Sequence, residues 1–328
     1  MSKTSQKLSI EQLSKLFIQL SALESAGLPV FQAFAIITQS EVKLKKPLAL
    51  MQQQLKAGRP ISDAGFKSGI FDDTHKTLIH AAEASGQLAS VYRLLADHYT
   101  RLNARIKKVK SRFNVPMLIL IVSLFVQPLP TYFNTEISTF DYFQLSLGRL
   151  LVIGLGLLLL LHLQAIINSL GIEKAWHRLQ LKLPIVANWI IKREVNNFLF
   201  ILALMLESGL SFADALPKAV ASIKNSCLRK QFTPTQKMLA TGASVTQTLA
   251  TVSVINTLIL HVLATSELSG KLASGILHFV KTEAETIALQ DDALAEWIPR
   301  FVYILIVIWM AYSISGNHLT TLVSPNLY

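Results

Sequence analysis

The amino-acid sequence predicts an all-α membrane protein with two homologous cytoplasmic helical-bundle domains and three transmembrane helices. Hydrophobic residues make up 51% of the 328 residues and charged residues only 16%, whereas soluble domains usually carry about 25% charged residues. Three apolar stretches have the length of roughly 20 residues that crosses a bilayer. In addition, one sequence signature occurs twice in the chain, at an offset of 184 residues.

The same composition excludes several other classes of protein. The hydrophobic fraction is too high for a disordered or collagen-like chain. A disulfide scaffold is excluded because Cys227 is the single cysteine in the chain. The net charge of +11 is compatible with nucleic-acid binding until the charges are located along the chain.

The first domain, residues 8–112, is predicted to be a bundle of short helices. Its first helix is indicated by apolar residues at the three-and-four spacing of one helix face: Leu13, Leu16, Phe17, Leu20 and Leu23. Gly27 should end this helix, and Pro29 favours the first turn of the next. A second break at Gly58 precedes another helix, for which Ser62 is the predicted N-cap.

The end of the first domain contains an acidic residue at an unusual place. Residues 72–74 should cap a helix that ends at Gly86, and residues 88–109 should form a longer helix. Glu83 precedes Gly86 by three residues, so its carboxylate faces the negative end of the helix dipole, at a cost of a few tenths of a kcal/mol. We therefore predict a partner for Glu83, either a donor within its own bundle or a group across an interface.

The second domain, residues 168–300, repeats the first. Residues 83–90 recur as residues 267–274 at an offset of 184, and Gly58 matches Gly242 at the same offset. The Gly27-Leu28 turn matches Gly209-Leu210 at an offset of 182. Three signatures in one order indicate duplication, and the helices predicted for the second copy follow the same order, at residues 196–206, 212–222 and 258–265.

The apolar stretches are the predicted transmembrane helices, and the charges orient them. Of the 31 Lys and Arg residues, 17 lie in residues 1–112 and 13 in residues 168–300. By the positive-inside rule both domains are cytoplasmic, and residues 1–30 show no signal peptide. The alternative for each stretch is a helix buried in a soluble core. The predicted order is the first domain (8–112), the first span (113–133), a periplasmic loop (134–146), the second span (147–167), the second domain (168–300), the third span (301–322) and a periplasmic tail (323–328).

A basic run lies directly before the first span, at residues 101–112. Its juxtamembrane position favours contact with anionic lipids. The alternative of nucleic-acid binding is disfavoured because the run contains no interleaved aromatic residues and no recognisable module. We therefore expect no nucleic-acid partner.

The sequence lacks the motifs of the common catalytic and cofactor sites. It has no P-loop, no His-Glu-x-x-His arrangement and no Gly-x-Ser-x-Gly elbow. His75 and His80 lie near Asp72 and could form a weak metal site, but we expect them to be solvated surface residues. We therefore predict no catalytic residue, no cofactor and no metal.

The duplication and the topology together resemble the type II secretion system F proteins, which include the platform proteins of type IV pili. The prolines at the predicted span boundaries, Pro116, Pro130 and Pro299, fit the same family. The motif positions that carry the resemblance are Gly27, Leu28, Gly58, Glu83, Ser85, Gly86, Leu88, Gly209, Leu210, Gly242, Glu267, Ser269, Gly270 and Leu272. Two of this chain's residues depart from the family pattern, because Ala82 and Ser266 stand where the family usually has glycine.

The resemblance implies a non-enzymatic assembly platform in the bacterial inner membrane. Its implied partners are a cytoplasmic hexameric ATPase, pilins or pseudopilins, other inner-membrane assembly proteins and further copies of itself. The chain has little sequence before the first domain, so coupling to the ATPase is expected to be built differently here. The resemblance leaves pilus and secretion machines as alternatives. A permease is disfavoured because the predicted spans contain no acidic residue.

Overall fold

The computed structural model describes residues 8–41, 44–133, 137–169 and 173–323. All regular secondary structure in these ranges is helical, which confirms the predicted all-α class. Parts of the predicted periplasmic loop and tail, residues 134–136 and 324–328, lie outside the described residues. The helices are α1 (Ile10–Ser25), α2 (Val30–Ser40), α3 (Lys45–Lys56), α4 (Ile61–Lys67), α5 (Asp73–Ser85), α6 (Leu88–Val126), α7 (Leu129–Phe133), α8 (Thr139–Ser169), α9 (Glu173–Lys182), α10 (Pro184–Glu207), α11 (Phe212–Ala221), α12 (Ser226–Lys230), α13 (Thr233–Ala240), α14 (Val245–Ala250), α15 (Thr257–Leu268) and α16 (Leu272–Val323).

The order of the helices reproduces the sequence repeat. Helices α1 to α6 form the first repeat, and α10, α11 and α13 to α16 follow in the same order as the second. The short helix α12 is an addition in the second repeat. The N-caps also correspond, since Asp72 accepts from the His75 N–H at the start of α5 and Asn256 accepts from the Ile259 N–H at the start of α15.

The chain divides into two compact units. The first unit contains Met1–Arg105 and Lys174–Ile287, and therefore holds most of both repeats. The second unit contains Ile106–Glu173 and Ala288–Tyr328. Two of the three boundaries between units fall inside the long helices α6 and α16, so each of these helices contributes its first part to the first unit, and the third boundary lies at the start of α9.

The two repeats share one hydrophobic core within the first unit. Phe17 and Phe34 of the first repeat and Phe198 and Phe232 of the second are fully buried members of the same cluster. Burial of such aromatic side chains supplies the main favourable free energy of folding. The repeats therefore form a single packed body.

The second unit consists of α7, α8 and the later parts of α6 and α16, and it exposes many apolar side chains. Leu151 of α8 is 73% exposed. Within the described residues, α6 is the helix whose length and apolar composition suffice to cross a membrane. Helices α8 and α16 contain the stretches predicted as the second and third spans, and the number of spans stays a prediction.

Candidate functional site

The Glu-x-Ser-Gly turn of the first repeat caps a neighbouring helix. Glu83 lies in the last turn of α5, and its Oε1 accepts from the Ile61 N–H of α4 at 2.9 Å. Its Oε2 lies 3.4 Å from the Ser62 Oγ, which donates to it. The carboxylate thus satisfies a backbone donor that a helix N-terminus leaves without a partner and faces the positive end of the α4 dipole.

The second repeat builds the same cap with more bonds. Glu267 accepts from the Val245 N–H at 2.7 Å, and from the backbone N–H and side-chain hydroxyl of Thr246 at 3.0 Å and 2.7 Å. Burial raises the pKa of Glu267, but the hydrogen bonds from Thr246 and Val245 outweigh it and hold the pKa below its usual range. Both glutamates therefore stabilise an interaction inside their own repeat, the first of the two alternatives for Glu83.

The prediction that Ser62 is the N-cap of α4 is wrong. Pro60 occupies the N-cap position with an extended backbone, and Ser62 is a buried residue inside the helix. The physical reason is that Glu83 supplies the acceptor that a local cap would provide. In the second repeat Ser244 does cap α14 locally, and the carboxylate of Glu267 is added to it.

The motif glycines end helices in the left-handed conformation that favours glycine. After Gly86, the Gln87 N–H donates to the Ala82 carbonyl, and after Gly270 the Lys271 N–H donates to the Ser266 carbonyl. This hydrogen bond is typical of a Schellman helix end. The motif glycines that share the positive φ are Gly27, Gly58, Gly86, Gly209, Gly242 and Gly270.

The apolar motif residues hold these turns to the protein interior. Leu88 and Leu272 begin the long helices directly after the Glu-x-Ser-Gly turns, and both pack against the shared core. Leu210 packs against the same core after its turn, while the matching Leu28 is partly buried. These leucines therefore fix the position of the turns relative to the core.

The serine of the motif behaves differently in the two repeats. Ser85 Oγ donates to the Ser208 carbonyl at 2.9 Å, so the turn of the first repeat meets the α10–α11 turn of the second. A Cβ added to Gly209 would lie 3.2 Å from Ser85 Cβ, which shows how closely the two turns approach. Ser269 instead donates within its own turn, to the Ser266 carbonyl at 3.1 Å.

A cavity of about 450 Å³ lies beside this contact between the repeats. Lys76 and His80 of α5 and Lys218 of α11 line it. Lys76 Nζ lies 2.9 Å from Asp63 Oδ1, and the hydrogen bond between them lowers the pKa of Asp63. The cavity therefore lies between the motif turn of the first repeat and the α10–α11 turn of the second, with basic side chains from both repeats in its lining.

The expectation that His75 is a solvated surface residue is wrong. His75 is buried, its Nε2 lies 2.8 Å from Tyr99 Oη, and its ring lies 5.4 Å from that of Phe17. Asp72 lies 2.9 Å from its Nδ1. Burial raises the pKa of Asp72, but the His75 hydrogen bond outweighs it and sets the pKa at about 2. In the described residues no group of three or more His, Cys, Asp and Glu side chains is placed to hold a metal ion.

His98 is a contact residue between the repeats that the sequence arguments missed. Its ring stacks on Phe200 of α10 with 4.2 Å between centroids. Burial, followed by the positive charge of Arg101, lowers the pKa of His98 to about 3. Its spacing from Val91 and Leu95 places it on the buried stripe of α6, a signal that could have identified it.

The basic run before the first predicted span forms ion pairs within the protein. In the second unit, Lys108 contacts Asp292, and Arg112 Nη2 lies 3.4 Å from Glu296 Oε1. In the first unit, Arg105 donates to the Ala284 carbonyl at 3.2 Å. Part of the run predicted to meet anionic lipids therefore binds α16, which the sequence pattern did not show.

Comparison with known proteins places the chain among secretion and pilus proteins. The family described as Type II secretion system (T2SS), protein F matches residues 16–131 and again residues 198–315. The type II secretion system protein F of Pseudomonas aeruginosa is 21% identical, over 90% of this chain and 78% of that protein. That of Vibrio cholerae is 25% identical over 81% and 70% of the two chains. The type IV pilus assembly protein PilC of Pseudomonas aeruginosa is 22% identical over 77% and 74%. The two family matches confirm the internal repeat.

Proposed function

Because the chain belongs to the type II secretion system protein F family, we propose that it is the inner-membrane platform protein of a type IV pilus or type II secretion machine. Its relatives are named for both kinds of machine, and membership in secretion or pilus machinery follows from the family. The platform role, the membrane and the partners below are the proposal.

The observation that carries the proposal is the double family match across residues 16–131 and 198–315. Both matched segments contain the same six-helix order and the same glutamate cap. A duplicated helical body without a recognisable catalytic arrangement suits a part that organises other subunits.

We place both repeats in the cytoplasm and the apolar helices in the bacterial inner membrane. The supporting observations are the charge distribution and the exposed apolar side chains of the second unit. The predicted segment boundaries, from 8–112 to 323–328, belong to this proposal. Anionic lipids would meet the part of residues 101–112 that faces away from α16.

The proposed partners are a cytoplasmic hexameric ATPase, pilins or pseudopilins, other inner-membrane assembly proteins and copies of the chain itself. Helices α6 and α16 each begin at a Glu-x-Ser-Gly turn and continue without a break for 39 and 52 residues. An α-helix rises about 1.5 Å per residue, so each of these helices connects its repeat directly to a stretch that we place in the membrane. Motion imparted to the repeats by an ATPase would therefore reach the segments that we place in the membrane.

The proposal is tested by deleting the gene and restoring it with the full-length chain. Loss of surface filaments in electron micrographs identifies a pilus platform, and loss of exoprotein export identifies a secretion platform. Restoration by the full chain shows that the loss is specific. Normal filaments together with normal export would overturn the proposal, and substrate uptake by proteoliposomes of the purified chain would then support a permease.

ATPase coupling is tested separately with the full chain in nanodiscs. The proposal predicts that it captures a secretion-type ATPase from the cytoplasmic fraction of its own cell, whereas empty nanodiscs do not. If no such ATPase is retained, the proposed coupling to an ATPase is wrong. The platform role is tested independently by the deletion experiment.

A further inference from the structure

The contact between the repeats uses two different surfaces, and each repeat possesses both. We call the outer surface of α5 and its turn the turn face; in the first repeat it is Lys76, Thr77, His80, Ala81, Ala84 and Ser85. We call the surface that it meets the receiving face; in the second repeat it is Ser208, Gly209, Leu210 and Lys218. The first repeat's turn face and the second repeat's receiving face are thus joined within the chain.

The other two faces, which we call the open faces, carry strongly exposed apolar side chains among the described residues. By the sequence offsets, the second turn face is Leu260, His261, Ala264, Thr265, Leu268 and Ser269, and the first receiving face is Ala26, Gly27, Leu28 and Ile36. Leu268 is 90% exposed and Ile36 is 46% exposed. No heavy atom lies within 4 Å of a Cβ built on Gly27, whereas the equivalent Gly209 meets Ser85.

The open faces are more apolar than the joined ones at equivalent positions. Ile36 replaces Lys218 and Leu268 replaces Ala84, whereas Leu260, at the position of Lys76, is partly buried against the shared core. If these positions faced only water, we would expect the more polar residue at each of them. Contiguous exposed apolar residues instead mark interaction sites. The open pair therefore carries the chemistry of an interface that the described chain does not itself complete.

Charge also suits a contact between the two open faces. Helix α2, which carries Ile36, contains no charged residue, and α15 contains only Glu267, whose carboxylate is bound at the start of α14. Bringing the two faces together would thus bury no unpaired charge. The joined faces, by contrast, bring Lys76 and Lys218 to one cavity.

We propose that the second turn face of one chain docks on the first receiving face of a second copy of this chain. The contact would repeat between chains the one that Ser85 makes with Ser208 within the chain, with Ser269 donating to the Ala26 carbonyl. Such a contact joins unlike surfaces, so it closes only as a reciprocal pair or a ring. It specifies the surface behind the proposed self-association, and its test does not depend on filaments or export.

Cysteine cross-linking in the full-length chain tests which faces meet. In a Cys227→Ser background, Ser269→Cys and Gly27→Cys, the equivalents of the closely approaching Ser85 and Gly209, are placed on separately tagged chains and co-expressed. The expected product is a disulfide-linked dimer carrying both tags, whereas each variant expressed alone gives none. Ser85→Cys with Gly209→Cys in one chain is the positive control, because a Cβ built on Gly209 lies 3.2 Å from Ser85 Cβ, and it should give an intrachain bond without dimer.

A second measurement covers the strength of association in detergent solution. Leu268→Asp should weaken association at least ten-fold in sedimentation or mass photometry. Leu258→Asp is the matched control, because Leu258 is on the same helix, 59% exposed and outside the turn face; it should change association less than two-fold. The proposal is overturned if the mixed dimer is absent while the intrachain control forms, if Ser269→Cys alone gives linked dimers, or if the two aspartate variants have equal effects.

Discussion

Glu83 and Glu267, 184 residues apart, accept hydrogen bonds from the first backbone N–H groups of α4 and α14, at 2.9 Å and 2.7 Å. The two carboxylates therefore perform the same task in the two repeats. The motif residue that looks most like a reactive group links two helices of one bundle, and the Ser85 turn beside it contacts the other repeat. Within the motif, Glu83 thus stabilises its own bundle, and Ser85, two residues later, contacts the other repeat.

Replacement of either glutamate by alanine should destabilise its repeat. Removing a charged acceptor from backbone donors costs about 1–3 kcal/mol, and the loss should be larger for E267A because Glu267 accepts more bonds at shorter distances. Hydrogen exchange of the Val245 and Thr246 amides measures the loss locally. E285A, at an exposed position of α16, is the control. Unchanged exchange in E267A would contradict the capping role.

Acid should weaken the cap that Glu267 forms in the wild-type protein. The pKa of Glu267 is lowered in the folded protein, so its contribution is present above the unfolded value of about 4.5 and is lost as the pH falls through the lower folded value. The E267Q variant should lose this part of the pH dependence. Denaturant titrations of both proteins between pH 6 and pH 3 provide the comparison, and parallel curves would exclude the effect.

His98 should make the contact between the repeats sensitive to mild acid. Its pKa is lowered from 6.5 to about 3 by burial, so the unfolded chain takes up a proton below pH 6.5 while the folded chain does not. Stability therefore falls as the pH drops below 6.5, by about 1 kcal/mol at pH 5.5. H98F keeps a ring against Phe200 and should remove this slope. An equal loss in H98F and wild type between pH 7.5 and 5.5 would contradict the prediction.

Helix ends and helix order were predictable from the sequence because they depend on local residues. Gly86 and Asp72 mark the ends of α5 as expected, and the long helix after Leu88 continues as α6. The error at Ser62 arose because the acceptor comes from Glu83, 21 residues away. His75 was misjudged because its burial depends on Phe17 and on Tyr99 of another helix. The unequal use of the two turn faces could not be predicted, since both copies carry the same motif.

A side chain at position 275 should destabilise the protein. A Cβ there would lie 1.9 Å from Ser266 Oγ and 2.7 Å from Ser266 Cβ. The first repeat has Ala82 and Val91 at the equivalent positions, so the smaller Gly275 compensates for the larger Ser266. Overpacking typically costs about 1–3 kcal/mol.

Denaturant unfolding of G275A therefore should show this loss, and S266A/G275A should recover part of it. G148A in α8 is the control, because no heavy atom lies within 4 Å of its Cβ position. Its helix propensity should make it neutral or slightly stabilising. A similar effect of G275A and G148A would contradict the close contact with Ser266.

The ion pair between Lys108 and Asp292 should contribute weakly but measurably. Both side chains are partly exposed, and such pairs typically contribute about 0.2–1 kcal/mol. K108E should lose at least this amount, because it also places a second carboxylate beside Asp292, and K108E/D292K should recover it at low salt. K110E is the control on the same helix. Equal stabilities of K108E and the double variant would show that the pair contributes nothing.

Gly27 and Gly209 provide a matched pair for the contact between the repeats. Both lie in the left-handed region, where alanine costs about 1 kcal/mol. The methyl group of G209A would also lie 3.2 Å from Ser85 Cβ, whereas that of G27A enters open space. In dilute, dissociated protein, G209A should therefore lose about 1 kcal/mol more than G27A. In an S85G background the extra loss in G209A should disappear, since that substitution removes the atom that the new methyl group meets. Equal losses in G27A and G209A would show that the two turns separate without cost, and the joined faces would then be a poor template for contacts between chains.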